Sequence, residues 1–204
     1  LAGNGTADEE REDRSVKGND LAETGTVPSA VVATSTDLYG YGPFSASIYL
    51  SQAYDADFDF ADGKFSVMCW VKVVAGSAYQ AIVNRYDSGD TGKGWQLLMT
   101  DEEKAYLFVW GASDVSSGES GVLADGWHFI CGVSDSAKIH LYVDGSIASS
   151  GTLAAGDLSN SSAPLNIGIH HDETNFPQLG SLSLARVSAT VPTPQQIKEI
   201  YQKL

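Results

Sequence analysis

The stretch Trp127–Gly145, WHFICGVSDSAKIHLYVDG, decides how this chain folds. It has the form of two strands joined by a short polar turn. In its second half Ile139, Leu141 and Val143 alternate with Lys138, His140 and Tyr142. Period-two alternation gives one apolar face and one polar or aromatic face. Asp144-Gly145 follows, a pair that tolerates the positive φ angles of a tight hairpin. The first half, Trp127–Val133, is apolar on both faces, as suits a strand inside a packed sheet. Residues 65–71, FSVMCWV, repeat that character. Two such central strands and a hairpin predict an all-β sandwich of two antiparallel sheets.

The length, 204 residues, fits one domain with room for a substantial core. Twenty-one Gly, nine Tyr, seven Phe and four Trp, with only 19% charged residues, suit many short strands joined by turns. The formal charge of −14 counts against nucleic acid and anionic lipid, because phosphate contact needs clustered Lys and Arg. A solvated acidic surface is its simplest reading, and cation binding is compatible with it. No apolar run approaches the roughly 18 residues needed to span a bilayer, so no membrane insertion is expected. No basic-then-apolar leader is visible. The chain starts at Leu1 rather than Met, which fits a processed product or an excerpt of a longer chain.

Residues 1–20 are polar and carry the charge run Asp8–Arg14, which reads as an N-terminal arm outside the core. It is either a flexible terminus or a tie to a neighbouring molecule, and residues 21–204 form the domain. An edge strand is expected near Val31 and another strand over residues 44–50, FSASIYL. In residues 54–60, YDADFDF, the row Asp55, Asp57, Asp59 lacks the Gly and Glu positions of an EF-hand loop and reads as a solvated turn. Phe65, Val67, Cys69 and Val71 should face the core. Met68 and Trp70 then face away, packed under a loop or stacked on a sugar ring. Residues 80–86 form a strand, followed by the surface loop Asp87–Gly94. Trp95–Thr100 and Lys104–Trp110 pair about a turn at Asp101–Glu103. Residues 111–121 and 156–163 read as loops. Pro164–Ile169 is a strand opening onto His170–Phe176, and Leu179–Val187 crosses back. Thr193 to Leu204 is a helix with Thr193 as cap, Pro194 at its first position and Gln196 completing a capping box. Ile197, Ile200, Tyr201 and Leu204 form the stripe that should dock on the sandwich.

These segments also carry a resemblance. FSVMCWVK (Phe65–Lys72), WHF (Trp127–Phe129), LYVDG (Leu141–Gly145), PLNIG (Pro164–Gly168) and the ending Gly180–Tyr201 appear in order. Together they resemble the laminin-G-like, concanavalin A-like jelly roll over about Asp13 to the end. Tyr49–Phe60 and the C-terminal segment resemble in particular the versions found in tail-fibre and other virion proteins of bacteriophages. The resemblance implies a jelly-roll sandwich with a short C-terminal helix. In related pentraxins a disulfide joins the strands that here hold Cys69 and Cys131, but both cysteines here sit one place later. Two free thiols, buried and facing each other across neighbouring strands, are the expectation, in keeping with a reducing cytoplasm.

Three chemistries bear on the candidate residues. Glycoside hydrolysis needs two carboxyl groups roughly 5–10 Å apart, which hydrolases of this fold place on one strand as Glu-x-Asp-x-(x)-Glu. No strand here has that pattern, and no nucleophile elbow is present, so no catalytic residue is assigned. Zinc is disfavoured because His170 and His171 are adjacent, with no third ligand at zinc spacing. Calcium is the one cofactor the resemblance suggests, through oxygen ligands Asp172 and Glu173 with Asp87 or Asp90. Sugar recognition uses aromatic platforms with a few directed polar groups. Trp95, Trp110, Tyr79, Tyr86 and Phe176 are the platform candidates, and Arg85, His171 and Asn175 the hydrogen-bonding ones.

The expectation is a non-catalytic module of a bacteriophage virion surface, a tail fibre or capsid decoration, that binds host or environmental glycans in several copies and contacts other virion proteins. A purely structural virion subunit and a secreted bacterial carbohydrate-binding module are the alternatives. The loops Asp87–Gly94 and His170–Phe176 are expected at one end of the sandwich.

Overall fold

Asp144 and Gly145 adopt φ angles of 50° and 75°, so the chain reverses in two residues and Val143 pairs directly with Ser146. Two successive positive-φ residues match the right-handed twist of the strands they join. The computed structural model describes residues 12–13, 15–32, 38–86, 92–111, 114–135, 137–151, 156–159 and 162–203. In chain order the strands are β1 (Ala22–Thr24), β2 (Ser29–Val31), β3 (Tyr39–Tyr41), β4 (Tyr49–Gln52), β5 (Lys64–Val73), β6 (Gln80–Tyr86), β7 (Gly94–Met99), β8 (Ala105–Trp110), β9 (Asp114–Ser116), β10 (Gly126–Asp135), β11 (Ile139–Val143), β12 (Ser146–Ser150), β13 (Leu165–Ile167) and β14 (Leu182–Ser188). Helix α1 (Pro194–Lys203) follows. The first sheet runs β1-β4-β13-β6-β7-β8-β9 and the second β12-β11-β10-β5-β14-β3-β2. This is the antiparallel jelly-roll sandwich read from the sequence.

β5 and β10 hold the middle of the second sheet, in register from Val73 opposite Gly126 to Lys64 opposite Asp135. Their inward residues Phe65, Val67, Cys69, Val71 and Ile130 join the core between the sheets. Phe60, Phe65 and Trp95 stack through that core at centroid spacings of 5.2 and 5.3 Å. Their outward residues Met68, Phe129, Cys131 and Val133 form a second cluster, closed by Ile197 and flanked by Ile200 and Tyr201 of α1. Burying the Ile197 side chain stabilises the docked helix by about 1.5–3 kcal/mol. The capping box forms as read: Thr193 N donates to Gln196 Oε1 at 2.8 Å and Gln196 N to Thr193 Oγ1 at 3.3 Å. Leu204 lies outside the described residues. Met68 and Trp70 therefore pack under a helix rather than offering a sugar platform, and Trp70 stacks on Tyr201 at 5.7 Å.

Several readings need correction. Residues 45–48 form a tight turn closed by Ser45 and Ile48, so the strand begins only at Tyr49. The segment read as the loop 111–121 contains β9 at the edge of the first sheet. Cys69 and Cys131 are both buried and free, but they do not face each other. Cys69 opposes Ile130 and Cys131 opposes Met68. Alternate residues point to opposite faces, so Cys69 enters the inter-sheet core and Cys131 the cluster beneath α1. Burial pushes both thiols up to about 12.

The row Asp55, Asp57, Asp59 is more than a solvated turn. Asp55 caps a short 3-10 helix, Ala56–Phe58, by accepting from Asp57 N. Asp57 pairs with Lys17 at 2.8 Å, which fastens the described end of the N-terminal segment to the domain, and Asn19 accepts from Gln52 at 2.8 Å. Asp59 reaches the fully buried guanidinium of Arg85 at 2.5 Å, which also lies 5.6 Å from the Tyr54 ring centre.

Two outcomes follow from this packing. Asp59→Asn removes a carboxylate charge from beside a buried guanidinium and should lower unfolding stability by about 3 kcal/mol, measurable as a shift in urea midpoint at unchanged slope. Alkylation at pH 8 should label neither cysteine in the native protein and both after denaturation, because the thiolate is the reactive form. Rapid labelling of Cys131 in the native state would show that α1 does not stay docked.

Candidate functional site

The outward face of the first sheet is where the polar and aromatic residues collect. On β7, Trp95, Leu97 and Met99 enter the core, so Gln96 and Leu98 face away. On β8, Ala105, Leu107 and Val109 enter the core, leaving Tyr106, Phe108 and Trp110 half-buried on the outer face. Asn84 of β6 stands opposite Gln96, and Asn166 of β13 stands opposite Asn84. Three amide side chains thus lie side by side across three strands, all fully or almost fully buried.

The segment His170–Phe176 covers that amide row. Asn84 Nδ2 donates to Ile169 O at 2.6 Å and Asn166 Nδ2 to His170 O at 3.5 Å. Gln96 Nε2 contacts His170 Nε2 at 3.3 Å, a donor-to-acceptor contact that leaves the ring proton of neutral His170 on Nδ1. Nδ1 stands 3.4 Å from the Asp172 carboxylate. Burial lowers the pKa of His170, with Asp172 opposing the shift. Gly168 starts the segment at φ 81°, and the Phe44 ring lies 2.3 Å from where a Cβ would stand. Only glycine fits there, which explains the last residue of the PLNIG stretch.

Rings join this segment to the sheet in one continuous band. Phe108 and Trp110 are 4.2 Å apart, Trp110 and Tyr86 4.2 Å, and Tyr86 and His171 4.8 Å. His171 and His170 follow at 4.1 Å, then His170 and Phe176 at 5.0 Å. Phe176 meets Tyr79 at 5.8 Å, and Tyr79 meets Tyr106 at 6.2 Å. Trp110, His171 and Phe176, candidates from the sequence, are thereby brought to one face, and Asn175, next to Phe176 in the chain, donates its side-chain amide to Asp172. Tyr106, Phe108 and the amide row were missed there. The alternation in Ala105–Trp110, AYLFVW, was the signal for the aromatic pair, since it places Tyr106, Phe108 and Trp110 on one side.

Two candidates leave the set. Trp95 and Arg85 have no exposed surface, because residues paired across β6 and β7 share a face and theirs is the core face. A ligand on the surface reaches neither. Gln96, next to Trp95, belongs to the outer face, and that polar neighbour was the available clue.

Of the four calcium candidates, the two described ones, Asp172 and Glu173, are turned to other partners. Asp172 Oδ1 accepts from Thr174 N at 3.0 Å and Asn175 N at 2.9 Å, and Oδ2 from Asn175 Nδ2 at 2.7 Å. Burial alone would raise the Asp172 pKa, but these hydrogen bonds, with His170 alongside, hold its carboxyl well below the usual range. Its oxygens therefore close the loop. Glu173 turns the other way and accepts from Tyr49 Oη at 2.7 Å. Asp87 and Asp90 lie outside the described residues. Among the described residues no three His, Cys, Asp or Glu side chains converge as metal ligands, so the pair Asp172 and Glu173 does not fit the ion.

Comparison with known proteins agrees with this architecture. Domain 4 of an extracellular arabinanase from Geobacillus stearothermophilus, solved with arabinotriose, superposes with a TM-score of 0.68 at 15% identity, covering 90% of this chain and 88% of that one. The binding domain of Paraclostridial Mosquitocidal Protein 1 gives 0.72 at 12% identity, over 94% of this chain and 49% of that one. The ligand binding domain of botulinum neurotoxin serotype D, solved with N-acetylneuraminic acid, gives 0.69 at 13% identity, over 95% and 49%. The chain spans about half the length of these toxin domains. No curated protein matches in sequence. The family model described as the concanavalin A-like lectin/glucanases superfamily matches residues 45–198. That span takes in both central strands, the aromatic face and the first half of α1, and the chain belongs to this superfamily.

Proposed function

We propose that this chain is a non-catalytic glycan-binding module whose sugar lies along the aromatic band of the first sheet. The observation that carries this reading is the half-exposed group Phe108, Trp110 and Tyr86, continued by His171 and Phe176. Ring faces stack on the C–H faces of sugars, and a few polar groups beside them set orientation. His171 and Asn175 are those groups here. Two structurally similar domains were solved with saccharides, which supports this ligand class. Asp172 and Glu173, in the segment that continues the band, are engaged within the fold, and no strand carries the paired-carboxylate pattern of this fold's hydrolases, which supports binding without hydrolysis. The setting we propose is a bacteriophage virion surface, as a tail-fibre or capsid-decoration module in several copies, with residues 1–20 linking it to neighbouring virion proteins. The resemblance of Tyr49–Phe60 and of the C-terminal segment supports that setting. A shallow site of this kind gains strength through avidity.

A glycan array probed with multivalent protein, followed by calorimetry on each positive, tests the reading. Trp110→Ala should weaken binding at least tenfold, about 1.4 kcal/mol, while Trp70→Phe on the other sheet leaves it unchanged. A chelator should have no effect, since the loop carboxylates serve the fold. Binding that is indifferent to Trp110→Ala, or no glycan bound at all, would overturn the assignment.

Acid should weaken the site. The folded loop favours neutral His170, so its contribution is present at neutral pH and is lost as pH falls below the ordinary histidine value of about 6.5. Glycan affinity measured at pH 7.5 and 5.5 should drop in the native protein and change less in His170→Asn.

A further inference from the structure

The second sheet carries a groove that the aromatic band does not touch. It encloses about 760 Å³ between α1, β14 and the segment after Glu12, a size typical of small-molecule sites. Its apolar lining includes Met68, Trp70, Phe129, Leu184 and Ile200, and its polar lining Glu12, Asp13 held by Ser15 and Asn19, and the Lys17–Asp57 pair. Three features there are left unexplained by packing. First, the β14–β5 ladder slips between Ser183 and Arg186, and Leu184 sits in the slip at φ 53°. A branched residue is strained in that conformation, and such strain concentrates where a ligand is held. Second, Trp70 Nε1 is buried with no hydrogen-bond partner among the described residues, although the ring is held by Phe129 and Tyr201 at 5.7 Å each. Third, Arg186 lines this groove and also a smaller hollow of about 400 Å³ beside α1. It is exposed and forms no side-chain ion pair among the described residues. Lys203 lines the same hollow, and the carboxylate there, Glu199, accepts from Gln195.

Arg186 opposes Met68, two residues from Trp70 on the same face of β5. An apolar floor therefore ends at a guanidinium, and the unsatisfied indole N–H belongs to the same face of β5. A ligand that satisfies all three has an elongated apolar body and an anionic head. A single guanidinium matches a monoanion, and the net charge of −14 disfavours a polyanion. We infer that this groove binds a medium-chain alkyl carboxylate, its chain on Trp70, Met68 and Phe129 and its head at Arg186. The site is separate from the glycan band, on the other sheet.

Calorimetric titration of the full chain with decanoate, and with decan-1-ol as the neutral counterpart, tests this. Saturable decanoate binding is expected below about 1 mM, with quenching or enhancement of Trp70 fluorescence that is lost in Trp70→Phe. Arg186→Gln should weaken decanoate at least tenfold and leave decan-1-ol unchanged, and its exposed position makes it neutral for folding. Leu184→Trp should fill the groove and abolish both. Trp110→Ala should alter neither, which separates this site from the proposed glycan site. Absence of saturable binding to the native protein, or equal decanoate affinity in Arg186→Gln, would overturn the inference.

Discussion

A pair of strands that must be covered on both faces governs this molecule. β5 and β10 carry apolar side chains on alternate residues of both parities, so neither face can be left to water. One face is closed by the first sheet. The other is closed by α1, whose apolar stripe is too narrow to stand without the sheet and too apolar to be exposed. The two demands are met at opposite sides of the same strands, which is why Cys69 and Cys131, one register step apart, end in different clusters.

Covering the second sheet with a helix leaves the first sheet as the face with residues to spare. Its inward side is filled by Trp95, Leu97, Leu107 and Val109, so its outward side can hold amides and rings. Asn84 and Asn166 use their amide donors to pin two successive carbonyls of the following segment. The segment then closes on itself through Asp172, and its rings continue the band begun by Phe108 and Trp110. The amide row is tied to carbonyls of that segment, and the rings stand on neighbouring strands of one sheet. Rigid, half-exposed rings give contact area at small entropic cost on binding. The groove beside α1 lies next to the register slip in β14, which takes Leu184 and Ala185 out of the ladder before Arg186 rejoins it opposite Met68.

The central strands and the hairpin were readable because they rest on local rules. Alternation in Ile139–Val143, the two-sided apolar runs, the Asp144-Gly145 pair and the Thr193–Gln196 box each act within a few residues. Part of the site was readable for the same reason, since Trp110, His171, Asn175 and Phe176 stand in or beside loops. Other parts were misread where two alternations compete. In Gly94–Met99, GWQLLM, both parities carry apolar residues, and only the core opposite decides that Trp95 goes in and Gln96 out. The Asp59–Arg85 pair was hidden because its members are 26 residues apart and meet across the sandwich.

The amino-acid sequence by itself determined the class of fold, the two-residue hairpin, the two central strands and the capped terminal helix, because each follows from periodicity and backbone preference over a short span. Tertiary structure alone decided which face of each strand is covered, that Arg85 is a core ion and not a ligand contact, and that Asp172 serves its own loop. Those outcomes depend on what packs opposite, and a side chain's neighbours across a sandwich are set by pairings between segments far apart in the chain.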